Sequence, residues 1–445
     1  MKTLEQIAAE LQGYDPQALS ADQVNEFLAR MVHPVQAVEA VPLFQALGRV
    51  LAQDIVSPLN VPPHDNSAMD GFAFAGAVLR SSQNHPANQS VSLKVVGTAY
   101  AGKAWQGSVS AGECVKIMTG AVMPQGLDTV VPQELVSILR SSGGDMVTLP
   151  PKGLQTGDNR RLTGEDIAQG SVALGQGKTL GPAALGLVAS LGIGTVTVFK
   201  RLKVAYFSTG DEILSLNQAP REGAVYDSNR YTVFGLLTRL GVEVIDLGVV
   251  RDEPALLEAT FMQAATLADA IITSGGVSVG EADHTRAMMK HLAANVAGGA
   301  GGVAFWRIAM RPGRPMAVGR IAKPGSSNGA VLFGLPGNPV AVMVTFLAFV
   351  RPALLQMMGC KPVAQPYLKA VSLEPMRKKP GRTEYQRGMV STQPDGSLAV
   401  RITGNQGSGV LSSMVQANGL IVLHHHQGNV AAGELVDVMV FDGVI

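Results

Sequence analysis

Apolar residues first adopt a helical rhythm after Ser20. Val24, Phe27, Leu28 and Met31 fall on one helical face, and Ser20 with Gln23 has the spacing of a capping box. After Gly48 the period shortens. From Asp54 to about Val136 the chain reads as short extended pieces separated by turn residues. Val91, Leu93 and Val95 alternate as a strand does, and Ser141-Ser142-Gly143-Gly144-Asp145 predicts a hairpin turn. A small β-rich unit is expected there.

Past about Pro182 the pattern changes again. The short apolar runs Ala205-Tyr206-Phe207, Val244-Ile245-Asp246-Leu247 and Ala270-Ile271-Ile272-Thr273 are separated by helical segments. Ser228 can cap a helix carrying Val233, Leu236, Leu237 and Leu240, and Pro254 suits the first turn of another. Strand–helix–strand repetition of this kind specifies a parallel sheet covered on both faces. From about Lys361 short strands and turns return, which predicts a C-terminal β domain.

A length of 445 residues exceeds one ordinary core and calls for three or four domains. With 46% hydrophobic and 16% charged residues, the chain is expected to fold rather than stay disordered. The formal net charge of +1 gives no reason to expect nucleic acid or an anionic membrane as partner, so an anionic ligand would need a local cluster of charge. Cys114 and Cys360 lie far apart and outside any metal-type spacing, which fits a reducing cytoplasm. The N-terminus lacks the pattern of a secretory signal. No stretch reads as approaching the ~18 apolar residues that span a bilayer. A soluble cytoplasmic protein is expected.

Acidic residues follow the αβ strands. Ser208-Thr209-Gly210-Asp211-Glu212 succeeds the first run, Arg251-Asp252-Glu253-Pro254 the second, and Ser274-Gly275-Gly276-Val277-Ser278-Val279-Gly280-Glu281-Ala282-Asp283 the third. Segments at the carboxyl ends of parallel strands gather around one crevice, so Asp211, Glu212, Asp252 and Asp283 are expected on one edge. Clustered carboxylates repel unless compensated, and hard oxygen ligands suit Mg²⁺. Any one of these acids taken alone reads as a helix cap or a solvated charge rather than a ligand. The glycine-rich run containing Ser274, Gly275, Gly276 and Ser278 can turn backbone N–H groups toward an anion; a plain βα turn is the other reading. Arg307, Arg311 and Arg314 form a compact basic set whose planar forks match phosphate or another tetrahedral oxyanion, or else make surface ion pairs. Leu335-Pro336-Gly337-Asn338-Pro339 precedes an apolar helix and offers either a further anion site or a stiff turn. His424-His425-His426 is read as a solvated tract, since neighbours on a strand point to alternate faces. Neither a P-loop nor a GxGxxG fingerprint is found.

Several of these segments, in this order, resemble the molybdopterin molybdenumtransferase family, which includes bacterial MoeA and the E domain of gephyrin. They are Pro62-Pro63-His64-Asp65-Asn66-Ser67-Ala68-Met69-Asp70-Gly71, Ile117-Met118-Thr119-Gly120-Ala121, Gly164-Glu165-Asp166-Ile167, Ser208 to Glu212, Ser274 to Asp283, Arg311 to Pro315, Gly334 to Pro339, and Pro380-Gly381-Arg382 through Gln386-Arg387-Gly388. The resemblance implies a multidomain α/β plus β fold. An elongated part (residues 1–55 with 150–180) would carry an inserted small β domain (56–149). A three-layer αβ domain with a mainly parallel sheet (181–360) and a β-barrel-like domain (361–445) would follow.

It also implies a homodimer acting on adenylylated molybdopterin and molybdate, beside other proteins of the molybdenum-cofactor pathway. Asp70, Thr119, Glu165 and Asp166 would approach the cleft from one subunit, and Asp211, Glu212, Asp252 and Asp283 from the other. Asp252 and Asp283 would hold Mg²⁺. Arg311, Arg314, Arg382 and Ser408 would hold molybdate or the pterin phosphate, with Arg307, Pro336, Asn338 and Pro339 among the substrate-binding set. Arginine stands at 307, 311 and 314 where the family commonly has lysine, which keeps the charge and changes its geometry. Adenylylation of molybdopterin, a pyrophosphatase on the same αβ fold and a gephyrin-like scaffold are the alternative readings.

Overall fold

In the computed structural model, which describes residues 2–79, 91–277, 284–293, 302–323, 326–362 and 365–441, the Ser20 signal opens a helix over Ala21–Met31. Gln23 N–H donates to Ser20 Oγ at 3.2 Å, and Ser20 N–H donates to Gln23 Oε1 at 2.9 Å. A second capping box, Thr3 with Gln6, starts the helix Leu4–Glu10. Val24, Phe27, Leu28 and Met31 are buried, and the Phe27 ring meets Trp306 edge-on at 4.9 Å. Trp306 Nε1 in turn donates to the Tyr14 hydroxyl at 3.0 Å. These helices therefore share a core with the αβ layer. Their apolar stripe is buried there, and the elongated part begins after them.

That part is a ribbon in which chain before the insertion pairs with chain after it. Val38–Pro42 runs antiparallel to Thr195–Phe199, Ile55–Val56 to Val172–Leu174, and Asn66–Ser67 to Arg160–Arg161. Two expected boundaries shift accordingly. The inserted sheet begins at Gly71, because Asn66 and Ser67 are still engaged by the returning chain, and the ribbon extends to Phe199. Among the described residues six strands form the inserted sheet, from Gly71 to Thr148. The alternation at 91–95 belongs to the strand Ser92–Ala99. The turn at Ser141 joins the antiparallel strands Ser137–Leu139 and Met146–Thr148, with Ser141 Oγ donating to the Gly144 carbonyl at 2.7 Å.

The central sheet, six strands among the described residues, has the order Glu243–Val250, Lys203–Thr209, Ala270–Ser274, Ser326–Leu335, Pro315–Lys323, Gly302–Arg307. The first four are parallel and the last two join antiparallel. Alternation along the strands divides two apolar layers. Val204, Tyr206 and Ile272 meet Val233 and Leu237 of the helix Ser228–Leu240 and the N-terminal helices. Ala205, Phe207 and Ile271 meet Leu257 and Phe261 of Pro254–Leu267 and Met289 of His284–Ala293. The cap of the helix Ser228–Leu240 is Asp227 rather than Ser228. Its extended backbone lets the carboxylate accept from Arg230 N–H at 3.0 Å.

In the C-terminal domain Thr383–Thr392, Leu398–Ile402, Leu368–Ser372, Leu435–Val440 and Gly419–Leu423 form a ring, and the last returns to pair with the first. The αβ domain docks on this closed barrel through Met310–Arg311, which pairs with Thr383 and Glu384.

One sequence expectation is corrected by the helical run Pro339–Met357. Its 19 residues, at mean hydropathy 1.8, have the length and composition of a membrane span. Residues from this run, among them Val340, Phe346, Phe349 and Leu354, belong to the protein core, and the run is 67% buried. A π turn at Phe346–Val350 interrupts it, and Arg351 breaks the apolar pattern, which hides its length in the sequence.

Because Phe27 and Trp306 key the first helices to the sheet, Phe27→Ala should destabilise this core by roughly 3–5 kcal/mol. Urea unfolding followed by tryptophan fluorescence reads the shift; a change below about 1 kcal/mol would disconnect that contact from stability.

Candidate functional site

The parallel strands bring their carboxyl ends to one edge, where Ser208, Ser274 and Leu335 stand side by side. Between this edge and the barrel lies a cavity of about 610 Å³. Its wall includes Glu212, Gly275, Gly276, Arg311, Arg314, Pro336, Asn338, Arg382 and Ser408. The chain approaches closely at the two glycines. A Cβ at Gly275 would lie 2.5 Å from the Thr209 carbonyl oxygen, and one at Gly276 would lie 2.4 Å from Thr285 Cβ. Both have positive φ, so glycine alone fits without strain.

Positive charge dominates the barrel side. Arg311 and Arg314 make no ion pair with any described residue. Arg382 is held differently: its Nε and Nη2 reach one oxygen of the buried Glu384 at 2.7 and 2.6 Å. Asn338 Nδ2 donates to Ser408 Oγ at 3.1 Å, and Val340 N–H donates to the Ser408 carbonyl at 3.1 Å, tying the αβ turn to the barrel loop.

Behind that loop stands Arg387, only 1% exposed, donating to Ser413 Oγ at 3.0 Å and to the carbonyls of Asn405 and Gly407 at 3.1 and 3.0 Å. Burial, and then the charge of Arg311, lower its guanidinium to about 10, so it remains charged at neutral pH. Gln406, in the cavity wall, exchanges two hydrogen bonds with the backbone of Arg387. Sequence reasoning passed over Arg387 and Gln406 as site residues. For Arg387 the sequence carried two signals, its place in the family-like Gln386-Arg387-Gly388 segment and the polar Gln386-Arg387 step in a strand that buries both its faces once the barrel closes.

The acids divide. Asp252 N–H donates to Asp211 Oδ1 at 3.4 Å, and Asp252 Oδ1 accepts from Thr285 Oγ at 3.0 Å, so these two acids are neighbours beside the cavity. Arg221 donates to the Asp211 carbonyl. Ser278 and Asp283 lie outside the described residues. Among the described residues no group of three or more His, Cys, Asp or Glu is placed to hold a metal ion. His424 pairs through Nε2 with Asp437 at 2.7 Å.

Other expected residues stand elsewhere. Arg307 ends its strand exposed and outside the cavity wall, its N–H donating to the Pro16 carbonyl at 2.8 Å. Ser274 is buried beneath the edge, where its hydroxyl lies 2.7 Å from Tyr206 OH and 3.4 Å from Ser208 Oγ. The Gly275 amide donates to the Leu335 carbonyl at 3.2 Å and so serves the sheet. Pro339 opens the helix behind the wall.

Asp70 and Thr119 meet in the inserted domain: Thr119 N–H and Oγ donate to Asp70 Oδ1 at 2.6 and 2.7 Å. The amide first and then the hydroxyl hold the Asp70 carboxyl below its ordinary range. Glu165 accepts from Leu162 N–H at 2.7 Å, and the Asp166 amide donates to the Val61 carbonyl at 3.1 Å. None of these four lines the cavity of the single chain.

Removal of the Thr119 hydroxyl in Thr119→Val should raise the Asp70 pKa toward the ordinary carboxylate value, with the amide bond retaining part of the depression. Carboxyl-carbon NMR titration reads it; an unmoved pKa would mean that the hydroxyl bond does not form in solution.

Comparisons with known proteins extend over the same modules. Three family descriptions match in order: MoeA N-terminal region (domain I and II) over residues 19–192, probable molybdopterin binding domain over 205–356, and MoeA C-terminal region (domain IV) over 369–441. The chain is 39% identical over 429 residues to a molybdopterin molybdenumtransferase of Haemophilus influenzae, covering 96% of this chain and 100% of that protein. A Nostoc protein of the same description is 34% identical over 406 residues, covering 91% and 88%. Among solved structures, the molybdopterin biosynthesis moeA protein of Pyrococcus horikoshii superimposes with a TM-score of 0.77 at 26% identity, covering 96% of this chain and 100% of that one.

Proposed function

The chain belongs to the molybdopterin molybdenumtransferase (MoeA) family, and from that premise we propose that it inserts molybdenum from molybdate into adenylylated molybdopterin with release of AMP. It is an enzyme of molybdenum-cofactor biosynthesis. The observation that carries the detailed reaction is the cavity of about 610 Å³ with Arg311 and Arg314 in its wall and the Asp211–Asp252 pair beside it. Cations without an ion pair among the described residues suit a tetrahedral dianion, and no side-chain nucleophile is required for a displacement that rests on positioning and charge stabilisation.

In this reading Arg311 and Arg314 hold the oxyanion, and Glu384 keeps the Arg382 fork against the wall. Arg387 fastens the loop that presents Gln406 and Ser408, and the Asn338–Ser408 hydrogen bond sets the distance between the two walls. An oxygen of molybdate or water, so placed, attacks the adenylyl phosphorus. The phosphoanhydride P–O bond breaks, molybdopterin phosphate leaves, and AMP departs carrying the incoming oxygen while the dithiolene sulfurs take the place of oxygen on molybdenum.

Mg²⁺ takes one or two carboxylates together with phosphate oxygens and water, and Asp252, oriented by Thr285 and flanked by Asp211, fits that donor chemistry. Asp252 with Asp283 would hold the ion, which neutralises phosphate charge when bound.

The reading includes a homodimer in the cytoplasm. A second copy would bring Asp70, Thr119, Glu165 and Asp166 to the cleft. The fully exposed Phe44 and the open rings of Tyr231 and Phe234 support such pairing.

AMP release from adenylylated molybdopterin, with and without molybdate, tests the assignment. Release should require molybdate; release without it would point to a pyrophosphatase, and consumption of ATP with molybdopterin to the adenylyltransferase step. In the double variant Asp252→Asn, Asp283→Asn, Mg²⁺-dependent release should fall on the order of a hundredfold or more with unchanged circular dichroism. Normal release by that variant would remove the metal assignment.

A further inference from the structure

The parallel sheet has a second edge. Val204, Ala270 and Val331 stand side by side at the strand starts. They lie on the order of 15 Å from the carboxyl ends at ~3.3 Å per residue. A separate cavity of about 380 Å³ opens there, bounded by the chain between Met31 and Ala37, by Lys200 to Lys203, and by the ends of the central hairpin. This volume falls near the lower end of the ~300–1,000 Å³ range of small-ligand sites.

Its lining is one-sided in charge. Lys200, Arg201, Lys203, Arg320 and Lys323 face it, and among the described residues Asp269 is the one carboxylate in its wall. Asp269 is already engaged: its Oδ1 accepts from Lys323 Nζ at 3.1 Å and its Oδ2 from Lys203 N–H at 3.1 Å. The Lys203 ammonium lies 3.4 Å from Glu243, and Arg201 donates to the Gly241 carbonyl at 2.7 Å. Arg320 is buried in the wall and donates to the Met31 carbonyl. Lys200 makes no ion pair or side-chain hydrogen bond with a described residue. Glu243 and Asp269 offset two of these five charges, and the remaining local excess of cations from separate segments raises its own free energy unless a further anion compensates it. The potential is felt by His33 on the rim, whose imidazole is pushed below its usual pKa by burial first and by Arg320 next.

We propose that this cavity is a binding site for a compact phosphate-bearing anion, separate from the candidate active site and formed by Lys200, Lys203, Arg201 and Lys323. The three ammonium groups on flexible stems hold such a ligand as point charges, and Arg201, already donating to the Gly241 carbonyl, adds one guanidinium, so the site carries less planar specificity than the arginine-lined cavity. Binding there would join the chain leaving the N-terminal helices to the strand that opens the αβ domain.

The test is calorimetric titration of the full-length protein with inorganic diphosphate at low ionic strength. An Arg311→Ala, Arg314→Ala background silences the other cavity. One site should persist in that background. Adding Lys200→Gln and Lys203→Gln should weaken it by at least about tenfold, the scale of two lost charge-assisted contacts. Lys200→Arg with Lys203→Arg should retain it, because charge rather than packing is responsible. Absence of binding in the arginine-silenced background, or equal affinity in the lysine-to-glutamine variant, would overturn the proposal. Parallel titrations with inorganic phosphate and AMP show whether a bare oxyanion or a nucleotide phosphate is preferred, since tighter binding of either identifies the source of the same chemistry.

Discussion

The structure depends on how a cluster of guanidinium groups is tolerated where the αβ domain meets the barrel. Arg311, Arg314, Arg382 and Arg387 gather around one cavity, and the buried carboxylate of Glu384 is bonded to Arg382 alone among them. Arg311 and Arg314 keep contact with water and Arg382 is half-buried, so the cost of desolvation falls on Arg387, the one buried guanidinium of the four. The pairing of Met310–Arg311 with Thr383 and Glu384 supplies part of the answer, since it sets Glu384 in register with Arg311 and within reach of Arg382. Carbonyls of Asn405 and Gly407 supply another part by accepting from Arg387. The remaining positive potential is available to a ligand, which gives the seam between domains its chemical character.

Carboxylates occupy the facing side for a topological reason. In a parallel sheet every strand delivers its following loop to the same edge, so acids after Thr209 and Val250 become neighbours although far apart in sequence. The inserted domain and the ribbon carry another polar set, Asp70 with Thr119 and Glu165 with Asp166, away from this cavity. A single chain thus holds two polar sets on different modules. In the proposed homodimer the first set of one copy completes the second set of the other.

Local physics was legible from residue order wherever neighbours in sequence are neighbours in space. The capping box of Ser20 and Gln23, the buried stripe from Val24 to Met31 and the hairpin at Ser141 needed no distant partner. The order of strand, acid and helix also carried the carboxyl-edge loops and the arginines at 311 and 314 to one region. Where a choice depended on one backbone angle or one returning strand, the reading slipped. Asp227 rather than Ser228 caps its helix, and the pairing of Ser67 with Arg160 moves the edge of the inserted domain toward Gly71.

By itself, then, the sequence determined the elements, the alternation that divides the central sheet into two apolar faces, and the supply of acids and arginines near its carboxyl edge. Tertiary structure alone decided which of those side chains share a cavity. Arg307 and Ser274 have the right neighbours in sequence, yet one stands exposed at the end of its strand and the other is taken by a buried hydroxyl cluster. Arg387 and Glu384 look like ordinary strand residues until closure of the barrel buries them. The physical reason is that burial and charge pairing are properties of surfaces brought together, and only the docking of one domain on another defines those surfaces.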